Sequence, residues 1–118
     1  MTMTERAISH VVSCTTAGTH ILYACPLNCR AKVILVFFTN ANGNNTVSLK
    51  WYRKQDNVSY YIIGGKNMSL GEFVQLSDSY IVLEPEDRLE IILGSAGNID
   101  ALCTAEEMFI SNTTRQHY

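Results

Sequence analysis

Hydrophobic positions along this chain recur with a period of two, in short stretches broken every eight to twelve residues. In Thr46-Val-Ser-Leu-Lys-Trp-Tyr-Arg53, Val47, Leu49 and Trp51 fall on one side, while Ser48, Lys50 and Tyr52 fall on the other. In Asp87–Leu93, Leu89, Ile91 and Leu93 oppose Arg88 and Glu90. Successive side chains of a strand point to opposite faces, so this alternation predicts half-buried β-strands. Lys32-Val-Ile-Leu-Val-Phe-Phe38 is apolar at both parities. Such a strand is covered on both faces or lends its second face to a partner chain.

The breaks are turn chemistry. Thr16–Gly18, Asn40–Asn45, Gln55–Asn57, Gly64-Gly65, Ser69–Gly71, Pro85–Asp87 and Gly94–Asn98 are rich in Gly, Asn, Asp and Pro. Gly and Asn accept positive φ and Pro fixes its own, so each cluster reads as a turn. The further strand candidates are Ile8–Cys14, His20–Cys25, Val58–Ile63, Phe73–Leu76, Tyr80–Leu83, Ile99–Cys103 and Met108–Ile110. About eight to ten short strands at this spacing predict an all-β fold, an antiparallel β-sandwich of jelly-roll type. No helical period runs for three turns; Ala105–Phe109 alone reads as a helical turn. Residues 1–118 form one domain without repeats or linkers. Its ends, residues 1–7 and 111–118, lack core pattern and read as arms that are flexible or ordered by a partner.

Composition narrows the function classes. With 118 residues, 47% of them hydrophobic, the chain can bury a core without a metal or disulfide. Nine basic and 11 acidic residues are too evenly balanced for a protein devoted to nucleic-acid phosphate. The start carries no secretory pattern. The longest apolar run, Val33–Phe38, is far short of the ~20 residues that span a bilayer, so neither a membrane nor a nucleic acid is an expected partner. A cytoplasmic site of synthesis follows, and the Asn-x-Ser/Thr triplets at Asn44, Asn57, Asn67 and Asn112 are discounted as glycan acceptors.

Four cysteines raise the questions of zinc and disulfides. Cys25-Pro-Leu-Asn-Cys29 has a spacing that zinc knuckles do not favour, and no second pair follows. No metal and no cofactor is expected. Cys25–Cys29, or Cys14–Cys103, would be the bridge in an oxidising compartment; buried thiols are the plainer reading. Cys29…Trp51…Cys103 fails as an immunoglobulin pattern, because Ala101 stands where the tyrosine corner needs Tyr.

Catalytic chemistry finds little support. His10, His20 and His117 are scattered, no nucleophile motif accompanies them, and Glu84, Glu86 and Asp87 around Pro85 read as a solvated turn whose Asp accepts from the backbone. Glu106 and Glu107 carry less signal still. The chain is not expected to be an enzyme. Tyr52, Arg53, Tyr60 and Tyr61, with Trp51 nearby, are the candidate interface. Tyr and Arg give area and donors at small entropic cost, although packing between strands accounts for the same residues.

Three fragments, taken in order, resemble one group of proteins. Ile21-Leu22-Tyr23-Ala24-Cys25-Pro26 is similar to a leucine–tyrosine–x–valine–proline opening found in small virion proteins of tailed bacteriophages. Phe38–Asn42 followed by Thr46–Trp51 resembles that group's strand and Asn-rich turn. Tyr80–Leu89 with Gly97-Asn98-Ile99 is similar to its leucine–x–proline–glycine–aspartate–x–leucine turn, with Glu86 in place of the glycine and Leu27-Asn28-Cys29 after the first proline. The resemblance spans about positions 20 to 107, and its motifs mainly encode turns. It implies a non-catalytic virion component that decorates or cements the capsid, or forms part of the neck or tail, located in the virion and bound to copies of itself and to other virion proteins. The alternative is a carbohydrate-binding β-sandwich that stacks Trp51, Tyr52, Tyr60 and Tyr61 on sugar rings.

Overall fold

A computed structural model describes residues 5–110. Nine strands follow one another: β1 (Glu5–Cys14), β2 (Gly18–Ala24), β3 (Cys29–Asn40), β4 (Asn45–Arg53), β5 (Val58–Met68), β6 (Phe73–Leu76), β7 (Ile81–Leu83), β8 (Arg88–Leu93) and β9 (Ile99–Phe109). One sheet has the order β1-β9-β3-β6, with β7 also on β3; the other has the order β2-β8-β4-β5. All pairings are antiparallel. Strands β6 and β7 lie in line along β3, Leu76 opposite Val36 and Ile81 opposite Val33. Taken as one interrupted strand, they leave eight ranks between which the chain changes sheet at every step except the β4–β5 hairpin. That is the jelly-roll sandwich expected from the turn rhythm. Among the described residues no helix is long and apolar enough to cross a membrane.

Both sheets turn one face to a shared core. Val47 and Leu49 with Leu89, Ile91 and Leu93 come from the β2 sheet, and meet Val33, Val36, Phe38, Ile99 and Leu83 from the β1 sheet. Each large aliphatic side chain fully withdrawn from water contributes about 1.5–3 kcal/mol. The alternation seen in β4 and β8 is therefore the core pattern itself.

Strand β3 keeps its inward face by slipping. Cys29, Ala31 and Val33 are buried at odd positions, and Val36, Phe38 and Asn40 at even ones. The ladder with β9 shifts between Val33 and Leu35. One extra residue, Ile34, reverses the parity of everything after it. This bulge is why Lys32–Phe38 reads as apolar at both parities. Among the described residues no third layer covers the strand, and Leu35 and Phe37 lie half-buried on the outer face.

Three expectations need correction. Ile99–Cys103 and the Met108-Phe109 part of Met108–Ile110 belong to one strand, β9, and Ala105–Phe109 is extended. Pairing to β1 on one side and β3 on the other overrides the local helical preference of Ala-Glu-Glu-Met. Gly64-Gly65 does not end a strand: β5 passes through it as a bulge, Gly65 taking φ +64° while its N–H donates to Ser48 Oγ at 2.8 Å. Strand β1 begins at Glu5, so residues 5–7 are paired to Met108, Glu107 and Glu106. The rest of the expected arms, residues 1–4 and 111–118, lies outside the described residues.

Buried side chains hold the turns. Asn40 Nδ2 donates to the Gly43 and Met68 carbonyls at 2.6 and 3.1 Å, closing the Asn-rich turn. Asn45 Oδ1 accepts from the amides of Thr46 and Ser95 at 2.8 and 3.2 Å, tying that turn to the β8–β9 loop. A Cβ on Gly97 would stand 2.7 Å from Asn45 Nδ2, so this glycine makes room for the tie. At Pro85–Asp87, Asp87 is buried and accepts from Glu84 N (3.0 Å), Lys54 N (2.9 Å) and Trp51 Nε1 (3.2 Å). The Asp87 N–H donates to the Glu84 carbonyl at 3.0 Å, and Glu86 has φ +71°. Proline followed by a positive φ makes a type II turn, whose third residue favours glycine. Glu86 therefore carries backbone strain at a position that favours glycine. Replacing Glu86→Gly is expected to stabilise the fold by about 0.5–1 kcal/mol, a rise of a few degrees in Tm. Paired thermal and urea melts measure it; an unchanged or lower midpoint refutes the strain.

Candidate assembly surfaces

The outer face of the β2 sheet carries two of the four interface candidates. Tyr61 on β5 pairs with Lys50 on β4, and Tyr52 on β4 pairs with Arg88 on β8. Lys50 Nζ sits 4.4 Å from the Tyr61 ring centre, and Arg88 Cζ sits 4.0 Å from that of Tyr52. Arg88 also bonds Glu90 Oε2 at 3.2 Å, and the Tyr52 hydroxyl donates to Asn57. Each ring thus has a cation over one face, an attraction worth roughly 0.5–1 kcal/mol at exposed sites. Cross-strand packing accounts for much of what made these residues stand out.

Arg53 and Tyr60 lie on the opposite face, because Arg53 is one residue from Tyr52 and Tyr60 pairs with Trp51. Both reach Asp56: Arg53 Nη1 at 3.3 Å and the Tyr60 hydroxyl at 3.1 Å. That hydrogen bond raises the Tyr60 pKa above its ordinary value. Arg53 also stands 5.7 Å from the Trp51 ring centre. The four candidates are therefore two pairs on two faces at the tip of one hairpin, not a single platform.

A second surface is more apolar. Across the outer face of the β1 sheet, Val11 pairs with Leu102 and Leu102 with Phe37, a straight row over three strands. Phe37 stacks on Phe73 of β6 with ring centres 5.5 Å apart and planes at 27°. Val11 is 74% exposed and Phe73 60%. Leu35 lies beside the row, and Val82 and Tyr80 extend apolar exposure along the β7 edge, Tyr80 under Lys32 Nζ at 4.4 Å. Only the β3 part of this surface was legible as a strand apolar at both parities. Val11 and Phe73 come from strands whose partners in space cannot be read from local pattern.

Inside the sandwich, Glu107 is 1% exposed and accepts from the Tyr23 hydroxyl and from Arg6 Nε at 2.7 Å. Tyr23 belongs to the β2 sheet and Glu107 to the β1 sheet, so this bond ties the two layers. Burial, then the bond to Glu107 and its charge, pushes the Tyr23 phenol far up. Sequence reasoning missed Glu107, because Ala105–Phe109 read as a helical turn and not as the inward-alternating end of β9.

All four cysteines are buried free thiols. Cys14 pairs with Ile99 and Cys103 with His10, four residues apart along one ladder, about 13 Å and beyond disulfide reach. A Cys14–Cys103 bridge is thereby excluded. The Cys25 thiol donates to the Cys29 carbonyl at 3.3 Å, and the Cys29 thiol donates to Asn28 Oδ1 at 3.6 Å. Burial pushes Cys14 up to about 11 and Cys25 and Cys103 up to about 12, and it raises Cys29 as well.

Comparisons with known proteins bear on the fold. No protein-family model and no curated protein matches the chain. Among solved structures, a protein of Bacillus endospore appendages, described as disulfide-linked pili, is similar at 14% identity and TM-score 0.56, covering 92% of this chain and 90% of its own. A chain of the T13 infectious bursal disease virus particle matches at 12% identity and TM-score 0.55, covering 91% of this chain. The present chain spans about a third of that viral protein's length, 32%. A chain of the capsid of Helicobacter pylori bacteriophage KHP30 matches at 12% identity and TM-score 0.50, covering 91% of this chain and 94% of its own. At these identities the likeness establishes a shared β-sandwich fold.

The thiols generate a prediction with a definite sign. The nucleophile is the thiolate, so raised pKa values and burial make the native thiols inert at pH 8. A thiol-exchange reagent such as DTNB is expected to leave native protein unlabelled over minutes and to react with four thiols per chain in denaturant. Because the native state holds these protons more tightly than the unfolded chain, the unfolded chain binds fewer protons once pH exceeds the ordinary thiol value. The resulting stability is complete below about pH 9 and is lost as pH rises toward about 12. Thermal midpoints measured from pH 7 to 11 should fall only on the alkaline side; rapid native labelling or a flat alkaline profile refutes the assignment.

Proposed function

We propose that this chain is a non-catalytic structural subunit of a virus particle, and specifically of a tailed-phage virion, where it decorates or cements the capsid or forms part of the neck or tail. The observation that carries this reading is the apolar row Val11–Leu102–Phe37 with Phe73 across the outer face of the β1 sheet, in which Val11 and Phe73 are left exposed among the described residues. Apolar rows left on a small domain mark surfaces that other protein covers. Many identical contacts then multiply a modest single-site affinity.

Two further observations support it. The fold is shared over nearly the whole of both chains with a phage capsid protein and with a pilus protein, both of which build repeating assemblies. The groups that catalysis would draw on are engaged structurally: His20 Nε2 is 2.8 Å from the Thr16 carbonyl oxygen, Asp87 holds three donors, and Glu107 is satisfied by Tyr23 and Arg6. The sugar-binding alternative is weakened by the cations over Tyr52 and Tyr61 and by the placement of Tyr60 on the other face.

Density-gradient particles from lysed cultures that carry the gene test the proposal, with the chain quantified by mass spectrometry against the major capsid protein. A fixed stoichiometry of many copies per particle is the expected result. A chain abundant in the lysate and absent from the particles overturns the reading. A melting shift on a panel of simple sugars, with no particle association, would favour the carbohydrate module instead.

A further inference from the structure

A sandwich with two open sheets has four edge strands, and each edge displays backbone N–H and C=O groups that another strand can pair with. Three of the four are blunted. Strand β2 has seven residues and a register shift between Ile21 and Tyr23. Strand β5 has two register shifts along its ladder and carries Gly64-Gly65 and Lys66. The fourth rank of the β1 sheet is split into β6, four residues, and β7, three residues, with Ser77–Tyr80 interrupting it.

Strand β1 has none of these devices. Its ten residues pair with β9 in one unbroken register from Glu5↔Met108 to Cys14↔Ile99. It holds no proline or glycine, and its two charges, Glu5 and Arg6, sit together at one end. Ile8, Val12 and Cys14 keep some or all of their surface inside, and most of the other residues are exposed.

We propose that the free edge of β1 is a docking site for the β1 strand of a second copy of this chain, the two pairing antiparallel about a two-fold axis between Ser9 and Val11. The proposal names a partner for the assembly reading and rests on it only for its biological meaning. Three features favour a second copy. A two-fold axis in this segment sends Glu5 and Arg6 of one copy toward the neutral Val12–Cys14 end of the other, so no like charges meet. It supplies an edge of matching length, since the same strand is present twice. It also continues the apolar row: Phe37–Leu102–Val11 of one subunit runs into the same row of its partner, with the Val11 side chains within a few residue steps of each other. Val11 then gains sideways packing against the partner strand, and the two β1 sheets become one continuous sheet.

Cross-linking of the full chain tests this. Ser9 and Val11 are exposed on one face of β1, so Ser9→Cys and Val11→Cys each place one reactive thiol at the axis, while the native thiols stay buried. Diamide, a two-electron oxidant, converts two such thiols into one disulfide and is itself reduced. The control is Val58→Cys, exposed on the β5 edge. Disulfide-linked dimers of one or both β1 variants, or of their mixture, should form at least about tenfold faster than those of the control, because pairing raises the effective thiol concentration. A dimer in gel filtration of the wild type should become monomer in Ser9→Lys/Val11→Lys, with melting temperature and far-UV circular dichroism retained. Cross-linking of both β1 variants and of their mixture no faster than that of the control overturns the proposal, as does a wild-type oligomer that survives the lysine pair. Since the particle measurement reads the chain's presence in virions, that result separates failure of this edge from failure of the structural-subunit reading.

Discussion

The structure depends on one constraint: two sheets share a single core layer, so every strand must keep its apolar face inward along its whole length. Alternation does this only while the strands stay in register. Strand β1 stays in register with β9 over ten residues, whereas β3 and β5 each slip within their ladders. Ile34 in β3 restores the inward face by exchanging odd for even positions, which puts Val33 and Val36 both in the core. Gly64-Gly65 does related work in β5, where positive φ at Gly65 turns an amide toward Ser48. These slips let ordinary hydrophobic residues fill one layer.

Polar side chains inside the layer are few and fully used. Glu107 takes hydrogen bonds from Tyr23 and Arg6, and Asp87 from three donors; both join parts of the chain distant in sequence. A buried carboxylate adds little net stability compared with an apolar side chain of similar size, yet it penalises any arrangement that leaves it unpaired. Tyr23 must therefore meet Glu107 across the sandwich, which sets how β2 lies over β9. Asp87 likewise fixes the Pro85 turn against Trp51 and Lys54. That anchoring shows how Glu86 can hold a left-handed conformation: the hydrogen bonds around the turn over-determine its backbone.

How much of this was legible from sequence follows from which signals are local. Turns were legible because Asn40–Asn45 and Pro85–Asp87 carry their own chemistry, and β4 and β8 because their alternation is unbroken. The sandwich class followed from the spacing of those signals. Parity slips were not legible, since a bulge is chosen by the partner strand: Lys32–Phe38 read as apolar on both faces when it has one face reset midway. The β9 strand was broken in two by the helix-favouring Ala105–Met108, whose preference yields to ladders on both sides. Among the interface candidates, Tyr52 and Tyr61 do share a face, but Arg53 was grouped by sequence proximity and falls on the other side, as alternation alone requires.

The same geometry explains why the outward faces differ. On the β2 sheet, outward Tyr52 and Tyr61 come with Arg88, Lys50 and Glu90 from neighbouring strands, so that face satisfies itself. On the β1 sheet, the outward row is hydrocarbon, and the polar pairs beside it, Ser9–Thr104 at 2.8 Å and Ser13–Asp100 at 2.5 Å, bond to each other and leave Val11 between them exposed. A chain this small has little surface to spare for unused apolar area, and charge could have been placed at Val11 or Phe73 without disturbing the core. Hydrophobicity is instead kept there, next to the least protected edge of the fold, which is why the proposed assembly contacts are placed on this sheet and not on the other.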